Sequence, residues 1–429
     1  MARSSSALAV KMTALDDQRK RRYTTDMRLP PALQEPQYRT YVIGNFFSLQ
    51  GMWALRTVIA WLAWELSGSA TWVGIVAFLS FAPTLVSGPI FGVYADRADL
   101  RKAAMVTQGA MAATATVLFL IASTGLLTLI TLALVSTAQG IAISAHHPVR
   151  LALTPRLAPR AALANAIAIS SLNFNLARLT GPALGGYGLA VLGAEATILV
   201  TVFLFAPVIL LLSTLQPRAP NAVARERVTV LVALTDGARH ALAHPGIRDA
   251  MLLTTLFALV VRGFLELLPV IADGVFQRGP VGLGEIMAAA GAGALTAAMI
   301  LSARDQVTEP RPPLLSIAAI FTGLVTAALT ATTEMWPLAL CLVAITGFCG
   351  TIVGVTMQSV VQLALTDEYR GRVMSLWVMV GVGAAAIGGL LMGVVADLAG
   401  FAPTIWFASG LAILVTSGMF LRRARTATP

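Results

Sequence analysis

The sequence predicts an all-α membrane protein with twelve transmembrane helices arranged as two six-helix bundles. Of its 429 residues, 57% are hydrophobic and only 12% are charged, and the mean hydropathy is +0.79. An ordinary soluble protein has about 25% charged residues, because water must wet its surface. Much of this chain must therefore face lipid, and its length accommodates twelve spans of about 20 residues each with their connections.

Twelve apolar runs divide the chain into two sets of six. The first set lies at about 41–65, 71–95, 103–123, 126–149, 164–190 and 195–215. The second set lies at about 250–273, 283–303, 313–331, 336–362, 373–396 and 402–421. These runs predict five parts: a cytoplasmic N-terminal tail (1–38), an N-terminal six-helix bundle (39–215), a cytoplasmic linker with an amphipathic helix at 228–243 (216–247), a C-terminal six-helix bundle (248–421) and a cytoplasmic tail (422–429).

The basic residues predict the orientation of the chain in the membrane. Of the 30 lysines and arginines, 26 lie in the tails or in connections on the same side of the membrane as the tails. Only Arg278 lies on the other side, and Arg56, Arg178 and Arg262 lie within spans. The positive-inside rule therefore places both termini in the cytoplasm. Because this topology accounts for the net charge of +10, that charge does not indicate a nucleic-acid partner.

The two sets of spans carry related short segments at equivalent places. Leu151–Thr154 at the end of span 4 has the same four residues as Leu363–Thr366 at the end of span 10. Gly185-Gly186 in span 5 is matched by Gly388-Gly389 in span 11. Such a pattern predicts parallel repeats related by an axis along the membrane normal, with a substrate site between them near the midplane.

The segment after span 2 resembles the major facilitator signature G-x-x-x-D-R-x-G-R-R/K. Its matching and neighbouring residues are Gly92, Asp96, Arg97, Asp99, Arg101 and Lys102. The resemblance implies the major facilitator fold and a cytoplasmic latch between its two bundles. Asp99 and Leu100 replace a glycine and an arginine of the signature, which predicts a weaker latch. The alternative is a positively charged cytoplasmic loop without that role.

Span 5 contains Gly181-Pro182-Ala183-Leu184-Gly185-Gly186, which resembles an element of the exporter branches of this superfamily. The proline removes a backbone hydrogen bond and kinks the helix, while the small residues allow close approach of a neighbouring helix. The resemblance implies that Gly181, Pro182, Gly185 and Gly186 bias which side opens. A role in packing alone is the alternative.

Three further segments, Ser48–Trp53, His147–Arg150 and Arg370–Leu376, are similar to the enterobactin-exporter (transmembrane secretion effector) group. The resemblance extends from about 38 to 421. It implies a secondary active exporter in a bacterial inner membrane, working as a monomer. In proton-coupled drug exporters span 4 carries R-x-x-Q-G, with the arginine three residues before the glutamine. This chain has Gln139-Gly140, but Ser136 occupies the position of the arginine. Proton coupling is therefore expected to use other residues.

Four charged residues lie within predicted spans: Arg56, Arg178, Arg262 and Glu266. A charge in the hydrocarbon layer costs several kcal/mol, so such residues usually face a cavity or a partner. Arg262 and Glu266 are four residues apart, so they share a helix face and can pair. Glu266 is thus either the group that exchanges a proton for cargo or one member of a permanent ion pair.

Three arginines and one glutamate make the predicted cavity positive, which favours an anionic or polar amphipathic cargo such as a catecholate siderophore. The candidate lining residues are Asn45, Gln50, Trp53, Gln139, Asn173, Asn175 and Trp377, with Phe46 and Phe174 as further aromatic surface. Three acidic residues at outer span ends are expected only to face water: Asp273, Glu285 and Asp397. His146 and His147 are interpreted as hydrogen-bonded histidines at the membrane interface.

The sequence therefore predicts a transporter that exports a small organic molecule by alternating access, with protons as the coupling ion. Its expected partners are the small-molecule substrate and the lipid bilayer, and no cofactor or metal is expected. No phosphate-binding loop, nucleophile elbow or zinc-spaced cluster is present, so an enzyme is not expected. Two alternatives stay open: an importer or facilitator with the same fold, and a non-transporting membrane scaffold or sensor.

Overall fold

The computed structural model describes residues 29–218, 230–303 and 312–426. Side chains within these ranges are described except at 86–90, 92–97, 230–234, 367–368, 370–371 and 422–426. Most of the predicted N-terminal tail and part of the predicted linker lie outside the described residues. The described chain is helical and contains no strand, as the sequence predicts.

The N-terminal half consists of five long helices. They are α1 (Pro36–Ser67), α2 (Ala70–Arg97), α3 (Leu100–Ser123), α4 (Leu129–Leu157) and α5 (Leu163–Leu212), with 3₁₀ turns at Pro31–Gln34 and Arg160–Ala162. Pro36 begins α1, where a missing N–H costs nothing, and Thr128 and Thr131 form a capping box at the start of α4. Predicted spans 5 and 6 are both in α5, which is broken at Gly193; its φ of 79° suits glycine.

The C-terminal half begins with α6 (Val230–Ala243), a short helix within the predicted linker. The remaining long helices are α7 (Pro245–Phe257), α8 (Gly279–Ser302), α9 (Leu314–Thr330), α10 (Trp336–Ala364), α11 (Asp367–Ala399) and α12 (Phe401–Thr426). Span 7 is irregular: α7 is followed by a π-helical turn at Ala258–Arg262, one α-helical turn at Gly263–Glu266 and a second π-helical turn at Val270–Val275. Such turns are common at functional sites.

Seven described helices are long and apolar enough to cross a membrane, and α9 and the first part of α2 (Ala70–Leu85) are shorter apolar segments. Spans 5 and 6 count together because α5 contains both. Span 1 and span 7 are absent from that count. The first carries Asn45, Gln50 and Arg56, and π-helical turns divide the second. The count of twelve spans therefore stays a prediction.

Glycine-mediated contacts join the two halves at two places related by the internal repeat. At α5 and α8, a Cβ added to Gly186 would lie 2.7 Å from the Cα of Gly284. At α2 and α11, a Cβ added to Gly74 would lie 2.7 Å from the backbone oxygen of Gly389. Because only glycine leaves room for these approaches, the matched glycine pairs of the sequence set the distance between the halves.

The buried apolar side chains are arranged differently on the two sides of the molecule. We call the side where the chain enters α1 and leaves α12 the terminal side, and the other the opposite side. Toward the opposite side, one hydrophobic cluster includes residues of both halves, such as Leu62 of α1 and Phe264 of span 7. Toward the terminal side, each half has its own cluster, represented by Tyr38 in the first and Ile247 in the second. Hydrophobic packing therefore unites the halves on the opposite side.

Candidate functional site

The four predicted intramembrane charges lie together at the centre of the molecule. Arg56 of α1 forms an ion pair with Glu266 of span 7: its Nη2 donates to Oε1 at 2.7 Å and to Oε2 at 2.6 Å. Arg178 of α5 is close enough to Arg56, Arg262 and Glu266 to interact with their charges. This ion pair connects the first helix of one half to the first span of the other.

Arg262 does not pair with Glu266 in the way that the helical spacing suggests. Its Nη2 instead lies against α10, 3.2 Å from where a Cβ on Gly354 would be. The π-helical turn ends at Arg262, and regular α-helical geometry resumes only at Gly263. The spacing rule behind the expected pair assumes an uninterrupted α-helix, so the two side chains face different neighbours.

Small residues on both sides bring this centre together. A Cβ on Gly181 would lie 2.5 Å from the Cβ of Trp53, and one on Gly185 would lie 2.8 Å from the backbone oxygen of Ala54. In the second half, a Cβ on Gly389 would lie 3.1 Å from the Cβ of Glu266. The span 5 motif therefore positions the part of α1 that carries Arg56, and its counterpart in α11 positions Glu266. Pro182 lies within α5 beside these glycines.

A row of aromatic rings and guanidinium groups in contact extends from the ion pair. The guanidinium carbon of Arg56 lies 5.4 Å from the ring centre of Trp53 and 4.6 Å from that of Phe81. The guanidinium carbon of Arg178 lies 5.9 Å from the ring centre of Trp53. Trp53 in turn contacts Phe174 edge to face, with ring centres 5.9 Å apart. These distances fall within the range of cation–π and aromatic interactions.

Arg150 is the last side chain in this row, and its guanidinium carbon lies 5.0 Å from the ring centre of Phe174. The sequence predicts Arg150 in the connection after span 4, whereas in the structure it lies within α4, which continues to Leu157. The available signal was the apolar sequence that follows, in which Leu153 is buried. A single arginine near a predicted span end does not show whether the helix stops before it, since boundaries depend on packing.

Several polar atoms of α1 are buried without a hydrogen-bond partner. They are Tyr41 Oη, Asn45 Oδ1, Gln50 Oε1 and Trp53 Nε1. The amide nitrogen of Gln50 does have a partner, since it donates to Thr180 Oγ1 at 2.6 Å. Buried polar atoms are normally paired with protein, water or a ligand, so each of these four atoms can still accept or donate a hydrogen bond.

The other predicted lining residues make contacts within the protein. Gln139 accepts a hydrogen bond from Thr114 of α3, and Asn173 Nδ2 donates to the backbone oxygen of Val42 at 3.2 Å. Trp377 is buried in the hydrophobic cluster of the C-terminal half. Asn175 Nδ2 donates to the backbone oxygen of Ser171 in its own helix at 2.9 Å.

Two acidic residues expected only to face water bind across the halves on the opposite side. Asp273 Oδ2 accepts from Trp64 Nε1 at 2.9 Å. Asp397 is exposed, and its carboxylate also accepts from the backbone N–H groups of Ala70 and Thr71, both at 2.9 Å. Glu285 accepts from Trp336 Nε1 at 3.0 Å within the C-terminal half. The sequence could not reveal these contacts because their partners come from helices distant in the chain.

His146 is buried between helices and hydrogen-bonded, whereas His147 is exposed. Its Nδ1 lies 3.0 Å from Thr107 Oγ1 and its Nε2 lies 3.2 Å from Gln108 Nε2. Ser48 Oγ donates to Gln108 Oε1 at 2.7 Å, so Gln108 Nε2 is the donor to His146. This network links α1, α3 and α4.

The predicted latch is described only in part. The side chains of Gly92, Asp96 and Arg97 lie outside the described residues. Asp99 caps α3, since its Oδ1 accepts from the backbone N–H groups of Arg101 and Lys102 at 3.0 and 3.2 Å. Arg101 Nη1 donates to the backbone oxygen of Leu215 at 3.3 Å, which is a contact within the N-terminal half.

Comparison with known proteins agrees with this architecture. The profile of the transmembrane secretion effector family matches residues 29–427. The multidrug efflux pump Tap of Mycolicibacterium fortuitum is 28% identical over 382 residues, which are 86% of this chain and 92% of Tap. The enterobactin exporter EntS of Escherichia coli is 26% identical over 370 residues, which are 83% of this chain and 85% of EntS.

Solved transporter structures share the fold. A mutant of the nucleoside transporter NupG superposes with a TM-score of 0.69 at 13% identity, covering 90% of this chain and 99% of NupG. A bacterial homolog of the human lysosomal transporter Spinster superposes with a TM-score of 0.64 at 15% identity, covering 89% and 93%. These are transporters and not enzymes, in agreement with the sequence prediction. The chain belongs to the transmembrane secretion effector family of the major facilitator superfamily and is a multi-pass membrane transporter.

Proposed function

We propose that this protein is a secondary active exporter, which moves a small organic molecule outward by alternating access. The observation that carries the proposal is the ion pair between Arg56 and Glu266, which crosses the two halves at an accessible centre. The Arg56 side chain keeps 34% of its surface exposed and that of Glu266 keeps 14%. An ion pair at this position must break whenever the halves separate around it, so it is suited to couple binding to the opening of the transporter.

The distribution of contacts supports a state that is accessible from the terminal side. The halves share a hydrophobic core on the opposite side and have separate cores toward the terminal side. By the positive-inside rule the terminal side is cytoplasmic, in the inner membrane of a bacterium. Cargo would therefore enter from the cytoplasm, which fits the efflux and export functions of Tap and EntS. The protein would work as a monomer.

Glu266 is the group proposed to exchange protons for cargo. Of the four charges at the centre, it alone is neutralised by binding a proton, because arginine stays charged. A proton on Glu266 removes its attraction for Arg56, and an anionic cargo competes with Glu266 for the same guanidinium. The siderophore-like or other amphipathic cargo class rests on the positive charge and aromatic surface of the site.

A comparison of cells with and without the protein tests this proposal. Mass spectrometry of cells and medium under iron limitation should find an organic molecule that the deletion strain retains. Expression of the parent protein should restore its release, and Glu266→Gln should lower the release at least about tenfold, the effect of losing a charged hydrogen bond. The matched control is Glu285→Gln, which removes a carboxylate of α8 that is bound to Trp336.

Three results would contradict parts of the proposal. Identical molecules in deletion and parent strains, under iron limitation and with added toxic compounds, would reject export. Uptake against a gradient in right-side-out vesicles would instead establish an importer. Release that continues after the proton gradient is collapsed, with full activity of Glu266→Gln, would leave Arg56–Glu266 as a structural pair and reject proton antiport.

A further inference from the structure

The charges at the centre of the transporter do not balance. Arg56 has a carboxylate partner in Glu266. The salt bridges of the described residues include none for Arg150, Arg178 or Arg262, and Glu266 is the one carboxylate near enough to interact with the charges of Arg178 and Arg262 as well. Arginines in excess of carboxylates in membrane-spanning helices are costly, so such residues normally face an anion or a water-filled cavity. The missing negative charge is therefore expected from a molecule that binds there.

Arg150 and Arg178 are placed at the two ends of one aromatic surface. Arg178 lies against Trp53 at 5.9 Å, Trp53 contacts Phe174 at 5.9 Å, and Phe174 lies against Arg150 at 5.0 Å. A guanidinium group that lies over a ring uses none of its N–H groups in a hydrogen bond to that ring, so these N–H groups can bind another molecule. Guanidinium N–H groups match the two oxygens of a carboxylate or of adjacent phenolates.

A buried polar atom one turn from Trp53 indicates what else the molecule carries. Gln50 Oε1 is an acceptor without a donor, on a residue that is only 3% exposed. Gln50 precedes Trp53 by three residues on α1, and its amide nitrogen donates to Thr180, two residues from Arg178. An acceptor buried without a donor is costly, and a hydroxyl or amide group of a ligand would satisfy it.

We infer that the surface formed by Arg150, Phe174, Trp53 and Arg178 binds an aromatic organic anion that also carries hydrogen-bond donors. This inference rests on the proposed function, because it names the class of cargo for the same central site. The arginines of the site then have two different roles. Arg150 and Arg178 bind the anion, whereas Arg56 holds Glu266 and links the two halves.

Binding of defined probes to the full-length protein in lipid nanodiscs tests the inference. The probes are 3-hydroxy-2-naphthoate, an aromatic anion with a hydroxyl group, 2-naphthylmethylamine, an aromatic cation, and cyclohexanecarboxylate, an anion without an aromatic ring. We expect the naphthoate to bind at least about tenfold more tightly than either of the others, since it alone makes both the ionic and the aromatic contacts.

Substitutions assign the binding to this surface. Arg150→Gln and Arg178→Gln should each weaken naphthoate binding about tenfold, and Phe174→Leu about threefold. Arg178→Lys, which keeps the charge and loses the two-pronged geometry, should lie between Arg178→Gln and the parent. The matched control is Arg278→Gln, because Arg278 also lies over a tryptophan, Trp336, at 5.6 Å but outside the site. Gel filtration and thermal unfolding confirm that each variant is folded.

The outcomes distinguish this inference from the proposed function. Equal binding of the three probes, or folded Arg150→Gln and Arg178→Gln variants that bind like the parent, would overturn the inference even if the deletion strain retains an exported molecule. Selective naphthoate binding that depends on both arginines would support it. If that binding occurs while deletion and parent strains release identical molecules, the proposed export is rejected and the anion site stands.

Discussion

The two halves of the transporter use glycine in the same way to pack their helices. They differ in the polar groups that they bring to the contacts between the halves. In α5, Gly185 packs on α1 of its own half and Gly186 packs on α8 of the other half. In α11, Gly388 packs on span 7 of its own half and Gly389 contacts α2 of the other half. The internal repeat therefore builds one symmetric frame from two glycine pairs.

The groups that meet across this frame are not symmetric. The N-terminal half supplies the donors: the Arg56 guanidinium, the Trp64 indole and the N–H groups at the start of α2. The C-terminal half supplies the carboxylates of Glu266, Asp273 and Asp397. Repetition thus accounts for the scaffold, whereas divergence between the repeats accounts for the ion pair and for the closure of the opposite side.

The largest expected effect tests the symmetric frame. In Gly388→Ala the added Cβ would lie 1.8 Å from the backbone oxygen of Leu259, so α11 and span 7 must move apart. Such overpacking is expected to cost about 1–3 kcal/mol or more of stability. Thermal unfolding of the purified protein measures it. The control is Gly381→Ala in the same helix, where a Cβ would meet nothing within 4 Å.

Equal unfolding temperatures for Gly388→Ala and Gly381→Ala would show that the glycine pair does not set the spacing of α11 and span 7. Gly185→Ala sharpens the comparison between the halves. Its Cβ would lie 2.8 Å from the backbone oxygen of Ala54, which is a milder clash than at Gly388. We therefore expect its loss of stability to be smaller than that of Gly388→Ala and larger than that of the control.

An intermediate effect tests the donor–carboxylate asymmetry on the opposite side. Asp397→Asn removes the charge that accepts from Ala70 N and Thr71 N. Because Asp397 is exposed, solvent screening limits the expected weakening of this closure to about 0.5–1 kcal/mol, a change of a few-fold in opening. The measurement is maleimide labelling of Thr57→Cys, a position fully buried between the halves, with Cys341 and Cys349 replaced by alanine.

The matched control for that measurement is Glu334→Gln, which changes an exposed carboxylate in the connection before α10. We expect labelling of Thr57→Cys to accelerate with Asp397→Asn and to stay unchanged with Glu334→Gln. Equal labelling rates in both backgrounds would show that Asp397 does not hold the opposite side closed.

The smallest expected effect concerns α6, which has no counterpart in the N-terminal half. His240 of α6 stacks on Tyr369 of α11 with ring centres 4.1 Å apart, and Asp236 lies 3.6 Å from Arg372. Because these groups are partly exposed, His240→Ala should weaken the docking of α6 by at most about 1 kcal/mol. Hydrogen exchange should accelerate in α6 alone. Acceleration that extends into the N-terminal half, or that also occurs in Arg239→Ala, would contradict docking on α11.

The sequence by itself was sufficient for features that depend on composition and local pattern. The all-helical membrane fold, the two related sets of spans, the family resemblance and the four charges of the centre all follow from residue types and their spacing. The physical reason is that lipid demands long apolar helices and makes every charge within them conspicuous. The span 5 motif could be located from sequence because its glycines and proline are contiguous in the chain.

Only the tertiary structure decided which side chains meet. It paired Glu266 with Arg56 instead of Arg262, and it placed Arg150 inside α4 and against Phe174. It also showed which helices Gln139 and Asn173 bond to, the hydrophobic cluster that contains Trp377, and the contacts of Asp273 and Asp397 between the halves. These outcomes depend on the rotation of each helix and on neighbours more than 100 residues away in the chain. Helical periodicity defines a face, but packing decides what that face touches.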